Sequence, residues 1–254
     1  AGRSWTHQAN RCPLAMPGLF DDKEDRQQGS GKTPEAPLAD RLRPRQLSDI
    51  VGQDHLVGAA GTIGRMVAAG RLSSIILWGP PGTGKTSLAR LLADQTELHF
   101  KAISAVFSGV ADLKKVFAEA EMRFQSGKAT LLFVDEIHRF NRSQQDSFLP
   151  YVERGTVVLV GATTENPSFE LNAALLSRTQ VLILNRLDSD ALGQLLERAE
   201  TLEDQNLPLT TDARDALIAS ADGDGRFLLI RRSLPNPCTG GCRSMTRIVK
   251  AITI

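Results

Sequence analysis

The sequence predicts an α/β protein: a P-loop NTPase core of three layers, αβα, around a parallel sheet, followed by a small partial helical lid. Three observations carry this. The stretch Gly79-Pro80-Pro81-Gly82-Thr83-Gly84-Lys85-Thr86 stands between an apolar run, Ser74 to Trp78, and a segment of helical spacing, Ser87 to Ala93. Five strand-like runs separated by helical segments lie between residues 74 and 184, the pattern of a parallel sheet covered on both faces. From Leu187 the strand signal stops and apolar residues recur at helical spacing.

At 254 residues the chain has room for one large or two modest domains and enough apolar residues for a core. Its formal charge of +1, with acids and bases interspersed, neither demands nor excludes nucleic acid, because a local basic patch can hide in a neutral total. No apolar run approaches the roughly 20 residues of a membrane span, and Arg3, His7 and Arg11 interrupt any signal-peptide core. The expectation is a soluble cytoplasmic protein. Cys12, Cys238 and Cys242 form an odd, sparse set that argues against a disulfide framework. Cys238-Thr-Gly-Gly-Cys242 has half the ligands of a metal site and no nearby residues to complete it.

Along the chain, residues 1–36 are polar, rich in Gly, Pro and Gln and without sustained period, and read as a disordered tail. Within them Leu19-Phe20 are two stray apolar residues, and Met16 reads as a natural start, since Ala1 cannot initiate a chain. Order is expected from Pro37-Leu38-Ala39-Asp40-Arg41-Leu42-Arg43-Pro44, continuing through Leu47-Ser48-Asp49-Ile50-Val51-Gly52-Gln53-Asp54-His55-Leu56 and a helix from about Ile63 to Ala69. The nucleotide-binding core is placed at 37–185.

The glycine-rich loop then supplies its chemistry. Glycines allow φ > 0 and turn successive N–H groups inward, making a nest for polyphosphate at a helix N-terminus. Gly79, Pro80, Pro81, Gly82, Thr83, Gly84 and Ser87 shape this site, Lys85 reaches the β- and γ-phosphates, and Thr86 holds Mg²⁺. A strand is expected over Leu98 to Ser104 and a helix over Val110 to Gln125, with Leu113, Val116, Phe117, Ala120 and Phe124 at helical spacing.

Leu131-Leu132-Phe133-Val134-Asp135-Glu136 is an apolar strand ending in two carboxylates, about fifty residues after the loop: the Walker B pattern. Asp135 is assigned to the Mg²⁺ water shell and Glu136 to polarising the attacking water. A fourth strand covers Thr156 to Ala162 and ends in Thr163-Thr164-Glu165-Asn166; the fifth, Gln180 to Leu184, follows Leu175-Leu176-Ser177-Arg178. Beyond it, Asp188 or Ser189 caps a helix carrying Leu192, Leu195, Leu196 and Ala199, and Thr211 caps another carrying Ala213, Leu217, Ile218 and Ala221. This lid is placed at 186–229 and ends on Gly223-Asp224-Gly225-Arg226.

These segments resemble AAA+ ATPases. The resemblance implies that backbone around Val51-Gly52 borders the adenine of ATP, that Thr164 is the sensor near the γ-phosphate, that Arg178 is a finger inserted into a neighbouring subunit's site, and that Arg226 is a second sensor on the phosphates. Asp135-Glu136-Ile137-His138-Arg139-Phe140-Asn141, Gln144-Gln145-Asp146, Leu149-Pro150-Tyr151-Val152-Glu153 and Gly161 to Phe169 are together similar to the replication-associated recombination protein A family. His138-Arg139 is also a feature of Holliday-junction branch-migration motors, and by itself His138 reads equally as a structural residue.

The resemblance, running from about Pro37 to Leu229, implies a DNA-stimulated ATP hydrolase that maintains replication forks and acts at single-stranded gaps and DNA ends. It further implies an oligomer that partners single-strand-binding protein in the bacterial nucleoid. An ATP-gated scaffold, a clamp-loader-type or branch-migration ATPase, and a truncated product that only binds nucleotide stay open. Arg139 and Arg142 are candidates for phosphate contacts to DNA. Residues 230–254 match nothing in the family. Gly225 to Ile254 holds six basic residues and no acidic one, with Pro235, Pro237 and Gly240-Gly241 against regular structure, so a loosely packed tail is expected. Since members of the family continue into a longer C-terminal oligomerisation region, the resemblance implies that this chain is largely monomeric with weak ATPase activity.

Overall fold

The computed structural model describes residues 38–203 and 210–232. The expectations for residues 1–36, for Cys12, Cys238 and Cys242, and for the chain beyond Arg232 lie outside them. Before the glycine loop come three short helices, α1 (Leu38–Arg41), α2 (Asp54–Val57) and α3 (Thr62–Ala68). Leu38 buries its side chain beside Ala199 and Leu229, and Ile63 is fully buried under the sheet. Strand β1 (Ile75–Trp78) then leads through the loop into α4 (Lys85–Gln95).

The middle of the chain alternates as the sequence predicts. Strand β2 (His99–Ser104) precedes α5 (Val110–Gln125), where Asp112 Oδ2 accepts from the Gly109 N–H at 2.8 Å and so occupies one of the free donors at the helix start. Strand β3 (Thr130–Asp135) runs into a 3-10 turn, Ile137–Arg139, then α6 (Arg142–Asp146) and α7 (Leu149–Glu153). Asn141 and Gln144 cap α6 reciprocally, side chain to backbone in both directions. Strand β4 (Val157–Thr163) is followed by α8 (Pro167–Glu170) and α9 (Ala173–Leu176), capped by Asn166 and Asn172, and then by β5 (Gln180–Ile183).

All strand pairs are parallel, in the order β2-β3-β4-β1-β5. Alternation along β3 divides the core: Leu132 and Val134 join Phe117, Phe148 and Ile137 on one face, while Leu131 and Phe133 join Leu88, Leu92 and Ile75 on the other. Each such buried side chain contributes about 1.5–3 kcal/mol relative to exposure, so both helix layers are held by the same strands. The central strands carry no charge until β3 ends at Asp135, and polarity therefore gathers at one edge of the sheet.

Three helices follow the sheet: α10 (Ser189–Glu203), α11 (Thr211–Ala221) and α12 (Gly225–Arg232). Leu187, Leu192, Leu196, Ala221 and Leu228 form their own small core, against which Val51 packs. Asp188 caps α10 by accepting from Ala191 N at 2.8 Å. The cap of α11 is Thr210, not Thr211; Thr210 Oγ1 accepts from Ala213 N at 3.3 Å, and Thr211 is already the first helical residue. Asp224 caps α12, which runs on to Arg232 rather than stopping at Leu229, so the first three residues assigned to a tail extend the lid. Where β5 meets the lid, buried Gln53 donates from Nε2 to the Asn185 carbonyl at 2.8 Å and accepts from the Asn185 N–H at 3.1 Å.

Candidate functional site

A parallel sheet delivers the C-terminal ends of its strands to one edge, and in this topology a crevice opens there beside the loop after β1. The loop backbone needs glycine at two places. Gly82 has φ 72° and Gly84 has φ 90°, the left-handed region that costs other residues about 1–2 kcal/mol. A β-carbon on Gly82 would also collide with the Asp224 carboxylate of the lid.

The resulting cleft, about 440 Å³, is lined by Pro81, Gly82, Thr83, Gly84, Lys85, Thr86 and Ser87 from the loop. Asp135 and Glu136 enter from β3, Thr164 from the end of β4, Val51 from the segment before the sheet, and Arg226 from α12. Twelve of the residues singled out in the sequence thus meet in one space. Gly79 and Pro80 stand behind the loop: a β-carbon on Gly79 would press on the Leu184 carbonyl. Gly52 backs onto Leu187 and Ala191 at the base of the lid. Arg178 lies elsewhere, just before β5 and therefore at the opposite end of the sheet, where its Nε is 2.5 Å from Glu153 Oε1 and its Nη1 donates to the Ala174 carbonyl.

Electrostatics favour an anion held beside a cation-binding pair. Lys85 is half-buried, and burial depresses its pKa below 10.5 while Glu136 and Asp135 oppose that depression; nearby Arg226 adds to it. Lys85 Nζ donates to the Gly79 and Pro80 carbonyls. Thr86 and Asp135 offer hydroxyl and carboxylate oxygens to the same cleft. Two hard donors suit Mg²⁺, which keeps several waters and takes its other ligands from substrate phosphate. Glu136 sits in left-handed backbone, φ 52° and ψ 46°, at the start of the 3-10 turn, so the chain bends sharply between the two carboxylates' strand and α6.

The other wall is built from residues with no motif. Leu42, Pro44 and Ile50 come from the segment after α1; Leu187, Leu195, Leu229 and Ile230 come from the lid. Together they make an apolar half beside the phosphate half, which suits a nucleobase next to its phosphates. Arg198 on α10 also lines the cleft and donates to the Asp49 carbonyl, linking lid to core. The cap role of Asp224 was missed in the sequence, where the apolar run Phe227-Leu228-Leu229-Ile230 just after it is the signal that marks such a position. Arg198 has no such signal, because nothing local in α10 marks it as a residue that faces the core.

The model of the ATPase family associated with various cellular activities (AAA) matches residues 75–187. Over 200 residues, 76% of this chain, the sequence is 47% identical to the replication-associated recombination protein A of Escherichia coli (strain K12), of which 44% is covered. ATPase WRNIP1 of Dictyostelium discoideum is 46% identical over 198 residues, again 76% of this chain but 23% of that protein. The Thermotoga maritima RuvB Holliday junction branch migration motor is structurally similar, with a TM-score of 0.60 and 26% identity over 74% of this chain and 63% of that one. The chain spans less than half the length of these two curated relatives. Among the described residues no helix is long and apolar enough to cross a membrane.

Proposed function

We propose that this chain, whose residues 75–187 match the AAA family model, binds ATP with Mg²⁺, hydrolyses it, and couples nucleotide state to DNA remodelling in replication-fork maintenance and recombination. The observation that carries the reading is convergence: Lys85, Thr86, Asp135, Glu136, Thr164 and Arg226, from four separate elements, line one cleft. Loop N–H groups and Lys85 take the β- and γ-phosphates. Thr86 and Asp135 hold Mg²⁺, which when bound neutralises phosphate charge. Glu136 polarises the attacking water, Thr164 orients the γ-phosphate, and Arg226 follows the phosphates as the lid moves.

Arg178 is assigned to a neighbouring copy's site, since it stands at the far end of the sheet from its own cleft. A permanently charged planar guanidinium suits the charge developing on a transferred phosphoryl group. The names of the relatives support the DNA half of the reading, and single-strand-binding protein, self-association and a cytoplasmic, nucleoid location belong to the same proposal. The test is ATP affinity by calorimetry together with phosphate release, with and without forked DNA, for the parent and Glu136→Gln. The variant is expected to bind ATP as the parent does and to lose about 10²–10⁴ in turnover. Equal turnover would remove Glu136 from the mechanism, and a parent that binds without turning over would make the chain a nucleotide-gated scaffold.

A further inference from the structure

Behind Glu136 lies a second polar group that the proposed hydrolysis does not use. His138 is two residues further on, in the 3-10 turn, with its side chain only 6% exposed. Its Nδ1 is 3.0 Å from Thr163 Oγ1 and 3.3 Å from Glu136 Oε2. Thr163 is fully buried at the end of β4, one residue before Thr164.

The proton on this ring follows from its neighbours. Thr163 Oγ1 donates to the Glu165 carbonyl at 3.1 Å and accepts from the Glu165 N–H at 3.0 Å, so its single hydroxyl proton is already engaged. What remains to it is an acceptor lone pair. A carboxylate oxygen offers acceptors only. Both atoms facing Nδ1 are therefore acceptors, and Nδ1 must carry the hydrogen; the tautomer is assigned by the network around it.

We infer that His138 is a positioning residue for Glu136: its Nδ1–H is shared between the Glu136 carboxylate and the Thr163 hydroxyl, and this fixes the carboxylate against the end of β4. The inference rests on the reading of Glu136 as the group that polarises water. Its physical content is a tether. Glu136 occupies left-handed backbone, so its carboxylate projects from a sharp bend rather than from regular strand. Among the described residues, His138 is the one side chain paired with that carboxylate, at 3.3 Å, while the direct hydrogen bond of Nδ1 is the one to Thr163 Oγ1. The same imidazole touches the loop that carries Thr164, so the two groups placed nearest the γ-phosphate share one support. Misplacement of a reacting group by about 1 Å is enough to cost roughly 10²-fold in rate.

The experiment measures ATP affinity and turnover for the parent, Glu136→Gln, His138→Leu, His138→Asn and the double variant Glu136→Gln/His138→Leu. His138→Leu should lower kcat by about ten- to a hundredfold with ATP affinity within about twofold of the parent. His138→Asn places an amide N–H close to the position of Nδ1 and should recover most of that loss. In the Glu136→Gln background His138→Leu should add nothing, because its effect passes through the carboxylate. A full additional loss there, or equal damage to affinity and kcat, overturns the inference.

If Glu136→Gln itself keeps parental turnover, the base assignment has failed and this inference falls with it. If Glu136→Gln is slow and His138→Leu is not, only this inference falls. An arm independent of turnover uses ¹H–¹⁵N correlation spectra of the histidine rings. They should show His138 protonated at Nδ1, with that resonance moved by Thr163→Val and by Glu136→Gln; a neutral ring protonated at Nε2 alone overturns the assignment.

Discussion

Lys85 Nζ donates to the Pro80 carbonyl at 2.6 Å, folding back onto the loop that precedes it. An arriving phosphate competes for that ammonium. Lys85→Ala removes the cation while leaving the loop N–H groups, and a charge-assisted hydrogen bond is worth about 1.5–3 kcal/mol. Nucleotide affinity measured by calorimetry should therefore fall by at least about tenfold.

Arg178 is held outside its own cleft by Glu153, on an exposed pair that contributes little to stability. Arg178→Ala should leave ATP affinity and melting temperature near parental values while lowering turnover. Mixing Arg178→Ala with Lys85→Ala protein should restore part of the rate if copies associate, since each lends the other an intact half-site. Light scattering on the same mixtures establishes association, and absence of rescue in an associated sample counts against the finger role.

Arg139 and Arg142 are both exposed beyond β3, and neither is drawn into an ion pair among the described residues. Their proposed partner is DNA phosphate, so affinity for single-stranded DNA should fall linearly on a log–log plot against salt. Replacing either arginine by Ala should reduce the slope by about 0.7 for each phosphate no longer neutralised, the single-strand value. Fluorescence anisotropy across a salt series reads this directly, and binding indifferent to salt would remove both residues from the interface.

Acid sensitivity has an identifiable source away from the cleft. Burial raises the pKa of Glu119, but Lys101 and Arg123, each 3.3 Å away, outweigh it and hold the carboxyl below its ordinary value of 4.5. A carboxylate depressed in the folded state stabilises the protein above its unfolded pKa, and that contribution is lost as pH falls through the folded pKa. Stability should accordingly drop on acidification below about pH 4.5, and Glu119→Gln should flatten this part of the profile. Urea midpoints measured from about pH 7 to pH 3 check the sign.

The sheet was legible because its strands are short unbroken apolar runs and its long helices repeat at 3.6 residues; the bounds of α5 are those its spacing predicts. The phosphate half of the cleft was legible for a related reason. A loop that must turn N–H groups inward needs particular residue types in fixed order. The apolar half lacked such a signature. Leu42, Leu195 and Ile230 look like any core residue in their own segments, and only the packing of α1 and the lid against the loop brings them together. Thr210 and Thr211 offer identical capping chemistry in sequence, and which one caps depends on where the helical backbone begins.

The paired bonds between Gln53 and Asn185 have a mechanical corollary. Asn185 is fastened to the core through both its N–H and its carbonyl, whereas Arg186 is fastened to the lid through Asp222, and Leu187 through the Gly223 carbonyl. Anchoring of the backbone passes from core to lid at the single linkage between Asn185 and Arg186. A buried glutamine thus fixes the point at which the sheet gives way to the helices that carry Arg226, and the Arg198 bond to the Asp49 carbonyl ties the same two parts together a second time.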